Sequence, residues 1–297
     1  MAIFKDLQGT LNKLNTLPLD KEKNLQKLVE DNLMEVLDLR FLATEYTTTF
    51  GGRIDTLAVD ANGAPVIIEY KRNKNENVIN QALSYLKWLK AQMPEFFQML
   101  MINKLGQAVA DSIKLDWKNP RVICIAESYS KFDIDTVEVV PLRIELFKYR
   151  YYEQGLFSLE SLNVTEAVSI KAPVISDPVQ FKTSTSVAML REKGSEDIRI
   201  LFDALAEQIV ALDKDIVEKC NSNYVTFGLT KNFADVQIGK KQIRLHLRKI
   251  DYIDPKHLVE KIPDGYNWTL SRRVFFNSID DLDYIMGLIE QSYNDVL

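Results

Sequence analysis

The sequence has few of the residues on which several enzyme classes depend. It contains only two histidines, His246 and His257, and only two cysteines, Cys124 and Cys220. Two distant cysteines without a Cys/His cluster exclude the usual zinc sites. Two histidines exclude nucleases that need several, and they leave a Ser-His-Asp hydrolase without support. Any chemistry in this chain therefore rests on carboxylates and lysine.

Glycine-rich loops and long apolar segments are also missing. With 11 glycines in 297 residues, neither GxxxxGK[ST] nor GxGxxG occurs, which excludes the common phosphate-binding loops. No run approaches the about 20 apolar residues of a spanning helix, and the N-terminus lacks the apolar region of a signal peptide. We therefore expect a cytoplasmic protein without membrane contact. The net charge of −5 excludes a polybasic DNA coat but allows a local basic cleft.

The length and the pattern of the chain predict two domains. The first covers 1–162, an extended linker covers 163–186, and a second, smaller α+β domain covers 187–297. In the first domain the periodicity predicts a helix, three strands (FLATEYTTTF, GRIDTLAVD and PVIIEYK), a helix, a second helix over 94–113, and the buried strand RVICIAES before a terminal hairpin. This order predicts an α/β fold with a mixed sheet flanked by helices.

The strand PVIIEYK has two opposite charges, Glu69 and Lys71, on one face, because residues two apart in a strand point the same way. The loop ANG before it decides what they face. A three-residue loop with Gly63 in the left-handed conformation places Asp55 directly opposite Glu69. A two-residue Asn-Gly turn places Asp55 opposite Tyr70 instead. The three-residue loop therefore predicts a cluster of two carboxylates and one lysine.

This cluster has the composition of a metal-assisted hydrolase. Two facing carboxylates repel each other unless a cation lies between them. Oxygen ligands of this kind suit Mg²⁺ or Mn²⁺. A lysine ammonium beside the ion can orient a water molecule or stabilise charge that develops on a phosphate. The residues thus indicate hydrolysis of a phosphodiester bond.

The spacing of Asp55, thirteen further residues, and then Glu69-x-Lys71 resembles the PD-(D/E)XK nuclease superfamily. The resemblance covers about residues 20–130, and this wider stretch looks like the NucS-type and RecB-type branches. It implies the restriction-endonuclease-like fold, in which a mixed sheet is flanked by helices. Ile54 stands where the family's first motif has a proline.

The following helix extends this resemblance. Gln81 and Tyr85 are four residues apart and share a helix face, and they match the Gln-x-x-x-Tyr motif with which the RecB-type branch contacts substrate and supports its site. The family also has a carboxylate on the helix that precedes the sheet. Two residues qualify here, Glu22 and Glu30, and we favour Glu30 because it sits next to the apolar stripe of that helix.

The roles that the resemblance implies can be stated residue by residue. Asp55 and Glu69 bind the metal together with the backbone carbonyl of Tyr70, and Lys71 positions the attacking water. The expected activity is that of a Mg²⁺- or Mn²⁺-dependent DNA endonuclease, in repair or in defence against phage. Two alternatives stay open: a catalytically idle nucleic-acid-binding module that kept the fold, and a nuclease that is exonucleolytic or directed at RNA.

Basic residues occur in two places where a phosphate backbone can bind. Arg53, Arg72 and Lys74 flank the cluster, and Arg244 and Arg248 lie on the polar face of a strand in the second domain. The alternatives are solvated charges and an ordinary half-exposed sheet. The second domain resembles an uncharacterised domain that follows such nucleases and is sometimes labelled a predicted transport protein. The expected partners are DNA, with RNA as the alternative, and a second copy in a homodimer.

Overall fold

The computed structural model describes residues 2–19, 21–71, 78–140, 142–162, 185–262 and 268–297. Two six-stranded sheets organise these residues. One lies in an N-terminal unit (2–162) and the other in a C-terminal unit (185–297). The predicted fold class, α/β with a helix-flanked mixed sheet and a second α+β unit, is confirmed. The predicted linker falls outside the described residues as far as residue 184.

The N-terminal unit begins with a separate hairpin and then builds the first sheet. The sheet has the order β3-β4-β5-β6-β7-β8; β5, β6 and β7 are parallel, and the other neighbours are antiparallel. The strands of this unit are β1 (Phe4–Leu7), β2 (Thr10–Lys13), β3 (Arg40–Thr47), β4 (Arg53–Val59), β5 (Pro65–Lys71), β6 (Arg121–Ala126), β7 (Ile144–Tyr151) and β8 (Phe157–Leu162).

Helices cover both faces of this sheet, so its central strands are almost wholly apolar. One face packs against α1 and α2, through Leu25 and Val29 among others, and the other face packs against α3, α4 and α5. Every residue of β5 before Lys71 is buried. The helices of the unit are α1 (Glu22–Asp31), α2 (Leu33–Leu37), α3 (Val78–Lys90), α4 (Pro94–Leu105), α5 (Gln107–Ser112) and α6 (Lys131–Val139).

The turn between β4 and β5 adopts the predicted three-residue form. Gly63 has φ +81°, and the amide of Asp60 donates to the carbonyl of Ala64 at 3.1 Å. The ladder then runs from Val59 opposite Pro65 to Thr56 opposite Ile68. Continued by one residue, this register sets Asp55 opposite Glu69, as the three-residue loop predicts.

Gly63 is therefore expected to tolerate no side chain. A Cβ at this position would lie 2.1 Å from the carbonyl oxygen of Lys114, in addition to the left-handed strain of roughly 1–2 kcal/mol. Gly106 is a matched control, because it has φ +86° but open space around a built Cβ. In urea unfolding, Gly63→Ala should lose clearly more stability than Gly106→Ala. Equal losses would show that only the backbone conformation matters at this turn.

Two elements differ from the sequence prediction. The helix predicted over 94–113 is interrupted at Gly106, which ends α4 and precedes α5, because its φ of +86° is not helical. The hairpin β1–β2 was not predicted, and all eight of its strand residues are exposed. A strand without a buried face has no apolar alternation, so its sequence shows no strand pattern.

The C-terminal unit packs its helices on a purely antiparallel sheet with the order β13-β14-β12-β11-β10-β9. Its elements are α7 (Val187–Arg191), α8 (Glu196–Leu212), β9 (Val217–Cys220), β10 (Val225–Gly228), β11 (Asn232–Ile238), β12 (Ile243–Leu247), β13 (Glu260–Lys261), β14 (Arg272–Phe276) and α9 (Leu282–Asn294). Across the described ranges of both units, no helix combines the length and the apolarity that crossing a membrane requires.

Candidate carboxylate–lysine site

Asp55 and Glu69 meet where the backbone ladder between β4 and β5 ends. The amide of Asp55 donates to Glu69 Oε1 at 3.3 Å, and the amide of Tyr70 donates to Asp55 Oδ2 at 3.1 Å. Side-chain carboxylates thus take the place of backbone carbonyls beyond Thr56 and Ile68. Glu69 is only 1% exposed. The two predicted metal ligands therefore lie next to each other, with Glu69 buried and Asp55 half-buried.

Burial and mutual repulsion make this pair electrostatically strained. Burial, and after it the charge of Asp55, raise the pKa of Glu69 to about 9. Burial also raises the pKa of Asp55, although the Tyr70 amide and the Lys71 ammonium act in the opposite direction. Two carboxylates so close together favour sharing a proton or a cation. The pair is consequently suited to hold a positive charge between its oxygens.

The stability of the protein should therefore depend on pH through Glu69. The folded pKa of about 9 lies above the ordinary value of 4.5, so the folded state keeps a proton that the unfolded chain has released. Stability is lost as pH rises through this window. Without divalent cations, Glu69→Gln should stabilise the protein at about pH 8–9 and show a smaller difference near pH 5.

Chemical unfolding at both pH values, in EDTA, measures this difference. Glu45→Gln, which removes a carboxylate from a surface ion pair with Arg53, is the control for losing a carboxylate elsewhere on the sheet. A constant difference between wild type and Glu69→Gln would contradict the assigned proton.

Lys71 is the last residue of β5, next to the Asp55–Glu69 pair, and it contacts Glu22 at the start of α1. Its Nζ lies 3.4 Å from Glu22 Oε1, and the lysine side chain is only 12% exposed. The charge of Glu22 also contributes to the raised pKa of Asp55. The structure therefore brings Glu22, as the helix carboxylate, to the cluster of Asp55, Glu69 and Lys71.

Glu30, the helix carboxylate that the sequence favoured, has different partners. It accepts hydrogen bonds from Thr56 Oγ1 and from Gln26 Nε2. The same Gln26 nitrogen lies 2.9 Å from the carbonyl oxygen of Asp55. Glu30 lies two turns of α1 beyond Glu22, so the helix carries it away from the end of the strand. Glu30 therefore binds β4 at Thr56 and does not join the Asp55–Glu69 pair.

Gln26 and Thr56 were not singled out from the sequence, yet they hold the main chain at Asp55. Gln26 is buried and also donates to Thr44 Oγ1 at 3.0 Å. Thr56 is buried as well and contacts the hydroxyl of Tyr70 at 3.3 Å. The available signal was the i, i+4 spacing of Gln26 and Glu30 on α1, which places both on one face.

Of the two residues of the Gln-x-x-x-Tyr motif on α3, only Tyr85 contacts the start of β4 beside the cluster. The amide of Arg53 donates to the hydroxyl of Tyr85 at 3.2 Å, and burial and then the charge of Glu69 raise the pKa of Tyr85. Tyr85 thus supports the start of β4 next to the carboxylates. Gln81, one turn earlier on α3, is exposed. The Arg53 side chain is 58% exposed and forms an ion pair with Glu45 at 3.3 Å.

The other predicted phosphate contacts lie elsewhere. Arg72 and Lys74 are outside the described residues. Arg244 donates to Gln237 at 2.9 Å and stacks over the ring of Phe275. The guanidinium of Arg248 binds two carboxylates, Asp38 at 2.6 Å and Asp295 at 2.8 Å. The sequence placed Arg248 on an open polar face, but its side chain is 12% exposed and lies between the two units.

Open space lies at the ends of the parallel strands β6 and β7, although none of Asp55, Glu69 and Lys71 lines it. A cavity of about 410 Å³ lies between residues 16–18 on one side and Glu127, Ser128 and the last residues of β7 on the other. Glu127 directly follows β6, whose end pairs with Lys71. Ligands of open parallel sheets bind at this edge. Within the described ranges, no group of three or more His, Cys, Asp and Glu side chains is arranged to hold a metal ion.

Two sequence comparisons cover the chain. Residues 187–296 match the family described as a domain of unknown function, DUF5655. The whole chain is 28% identical over 305 residues to a protein of Haemophilus influenzae that is described as an uncharacterized protein; the match covers 99% of this chain and 100% of that one.

Three solved structures are similar to part of the chain. A repair endonuclease from Pyrococcus abyssi shares 18% identity with a TM-score of 0.30, covering 45% of this chain and 50% of its own. EndoMS in a complex with double-stranded DNA shares 19% identity with a TM-score of 0.28. This match covers 45% of this chain and 47% of that one. EndoMS in its apo form shares 16% identity with a TM-score of 0.28. This match covers 50% of this chain and 65% of that one. The chain thus spans about half the length of the first two.

Proposed function

We propose that the protein is a metal-dependent phosphodiesterase that cleaves DNA internally. The observation that supports it most directly is the contact of half-buried Asp55 on β4 with buried Glu69 on β5, next to Lys71. Such a pair is unfavourable as a structural feature, because burial and repulsion both oppose its ionisation. A site that binds a cation gives it a reason to persist.

The residues present fit Mg²⁺ or Mn²⁺. The donors are hard oxygens, which these ions prefer, and Mg²⁺ typically uses one or two carboxylates together with waters and substrate phosphates. Asp55 and Glu69 would hold the ion, together with the backbone carbonyl of Tyr70. The chemistry that a bound ion supplies is polarisation of a phosphate oxygen and activation of water.

The remaining residues orient and support this centre. Lys71 would hold the attacking water or stabilise the charge that develops on the phosphate, and its ion pair with Glu22 keeps the ammonium at the strand end. Tyr85 and Gln26 hold the backbone on either side of Asp55, at Arg53 and at the Asp55 carbonyl. Small displacements of reacting groups reduce rates strongly, so these contacts serve positioning.

DNA is the proposed polymer because the Asp55–Glu69–Lys71 spacing resembles a superfamily of DNA nucleases. Three alternatives give different results in one assay. An idle nucleic-acid-binding module would bind DNA without cleaving it. An exonuclease would degrade linear DNA but leave a closed circle intact, and an RNA-directed enzyme would cleave only RNA.

The test incubates the purified full-length protein with supercoiled plasmid, linear DNA, single-stranded DNA and RNA, in Mg²⁺ or in EDTA. We expect nicked or linearised plasmid in Mg²⁺ only. A plasmid that stays supercoiled in Mg²⁺ while linear DNA is degraded would replace the endonuclease by an exonuclease. Binding of DNA without any Mg²⁺-dependent cleavage would overturn the enzymatic proposal.

A further inference from the structure

The two units meet through charges of opposite sign. Among the described residues, three salt bridges join the units, and in each the cation belongs to the C-terminal unit and the anion to the N-terminal unit. They join Lys219 to Glu145 at 2.5 Å, Arg248 to Asp38 at 2.6 Å and Lys231 to Glu35 at 3.1 Å. The basic residues of the C-terminal unit thus face an acidic surface of the same chain.

The first of these bridges completes a buried group of four charges. Arg121 binds Asp60 at 3.0 Å and Glu145 at 2.7 Å, and Lys219 contacts the second oxygen of Glu145. All four side chains are between 7% and 10% exposed. Burial alone would raise the pKa of Glu145, but Arg121 and then Lys219 hold it well below its usual range. Lys219 thus supplies the second cation in direct contact with Glu145.

Further hydrogen bonds between the two units surround this group of charges. Asn62 Nδ2 donates to Asp235 Oδ2 at 3.1 Å, and Ser222 Oγ donates to Asp116 Oδ1 at 2.8 Å. The indole of Trp268 donates to the carbonyl of Asp38 at 3.3 Å. The contacts use the polar face of the second sheet, which the alternation of β12 had indicated as an exposed face. Part of that face is therefore an interface within the chain.

These contacts occur where the strands of the first sheet begin. They involve the turn before β5, the first residue of β6 and the second residue of β7. The carboxylate–lysine cluster lies at the other end of β5. Seven residues of strand separate the two ends by about 20 Å. The C-terminal unit therefore contacts the starts of β5, β6 and β7, opposite the end of β5 that contributes Glu69 and Lys71 to the site.

We propose that the C-terminal unit is a docking module for the N-terminal sheet of its own chain. Its sheet face places Lys219 against Glu145, adds hydrogen bonds at the starts of β5, β6 and β7, and makes the two units a cooperative whole. The partner of this surface is the end of the first sheet that holds Asp60 and Glu145, and a nucleic acid backbone does not occupy these contacts. The proposal does not depend on the catalytic role of the other end of β5.

The test compares backbone amide exchange in full-length wild type and in Lys219→Met. Removing Lys219 leaves Glu145 with one cation fewer in a buried position. Exchange should then rise at least about tenfold at the starts of β6 and β7 and in β9 together, because a buried pair with one partner removed is strongly destabilised. Wild type should unfold in one calorimetric transition.

Arg191→Met is the matched control, because it removes an ion pair with Asp203 inside the C-terminal unit. It should leave the exchange of β6 and β7 unchanged. Asp38→Asn is a second, milder variant in which Arg248 keeps Asp295, and it should raise exchange at the same interface by less. Unchanged exchange in β6 and β7 in both interface variants, or two independent transitions in wild type, would overturn the proposal.

Discussion

Replacing Asp55 by asparagine is expected to reduce DNA cleavage by at least about 100-fold, since charge stabilisation of the transition state is lost while the shape of the side chain is kept. The new carboxamide would have one oxygen to accept from the Tyr70 amide, so the backbone at the end of β4 should stay in place. The affinity for DNA and the thermal midpoint should therefore change little. Without divalent cations the midpoint should rise at about pH 9, where Glu69 loses its proton, because the repulsion between the two carboxylates is removed.

The measurement is a time course of plasmid cleavage at saturating DNA, with affinity measured separately in EDTA. Glu45→Gln is the matched control, because it removes a carboxylate from the neighbouring strand β3 without touching the pair, and it should cleave at nearly the wild-type rate. Equal rates for wild type and Asp55→Asn, in preparations free of contaminating nuclease, would contradict the role of Asp55.

The second large effect concerns stability at the other end of the sheet. Arg121→Met should lower the free energy of unfolding by roughly 3–5 kcal/mol, because Asp60 would lose its ion pair in a buried place and Glu145 would keep Lys219 as its remaining ion-pair partner. Urea unfolding with a constant m-value measures this loss. The surface pair of Arg53 and Glu45 is the comparison, and Arg53→Met should cost less than about 1 kcal/mol.

If Arg121→Met lost as little stability as Arg53→Met, water would have to reach the charges around Arg121 and screen them. Arg121→Lys refines the result, since lysine keeps the charge but cannot form the two parallel hydrogen bonds that Arg121 makes with Glu145. We expect its loss to lie between those of wild type and Arg121→Met.

Local sequence rules predicted the part of the site that depends on neighbouring strands. The length of the loop before Gly63 sets the register of β4 and β5, and that register alone decides whether Asp55 faces Glu69 or Tyr70. The alternation along PVIIEYK then adds Lys71. These relations involve only a hairpin, and the hairpin has the geometry that its turn residues dictate.

The choice between Glu22 and Glu30 depends on how α1 packs across the sheet. Both residues lie on the same helix, and the helix periodicity does not say which turn reaches the end of β5. The sequence pattern favoured Glu30, because it lies next to the apolar stripe. In the packed structure Glu30 accepts a hydrogen bond from Thr56, and Glu22 at the start of the helix forms an ion pair with Lys71. A long-range arrangement of this kind has no local signature.

The contacts of the basic residues in the C-terminal unit also depend on long-range packing that local sequence patterns do not predict. Alternation correctly separates the face of Leu245 from that of Arg244 in β12 and of Arg248 directly after it, but it does not reveal what covers the second face. A positive surface has the same sequence pattern whether it meets a phosphate backbone or a carboxylate of the same chain. Arg248 meets Asp38, which is 210 residues earlier in the sequence.

The most direct test of the central claim is the binding of Mn²⁺ to the full-length protein, measured by the loss of the free-ion electron paramagnetic resonance signal. The claim predicts one ion per chain in wild type and no ion at this site in Asp55→Asn, with Glu45→Gln binding like wild type. Competition by Mg²⁺ should release the Mn²⁺. Equal binding by wild type and Asp55→Asn would contradict the assignment of the Asp55–Glu69 pair as a cation site.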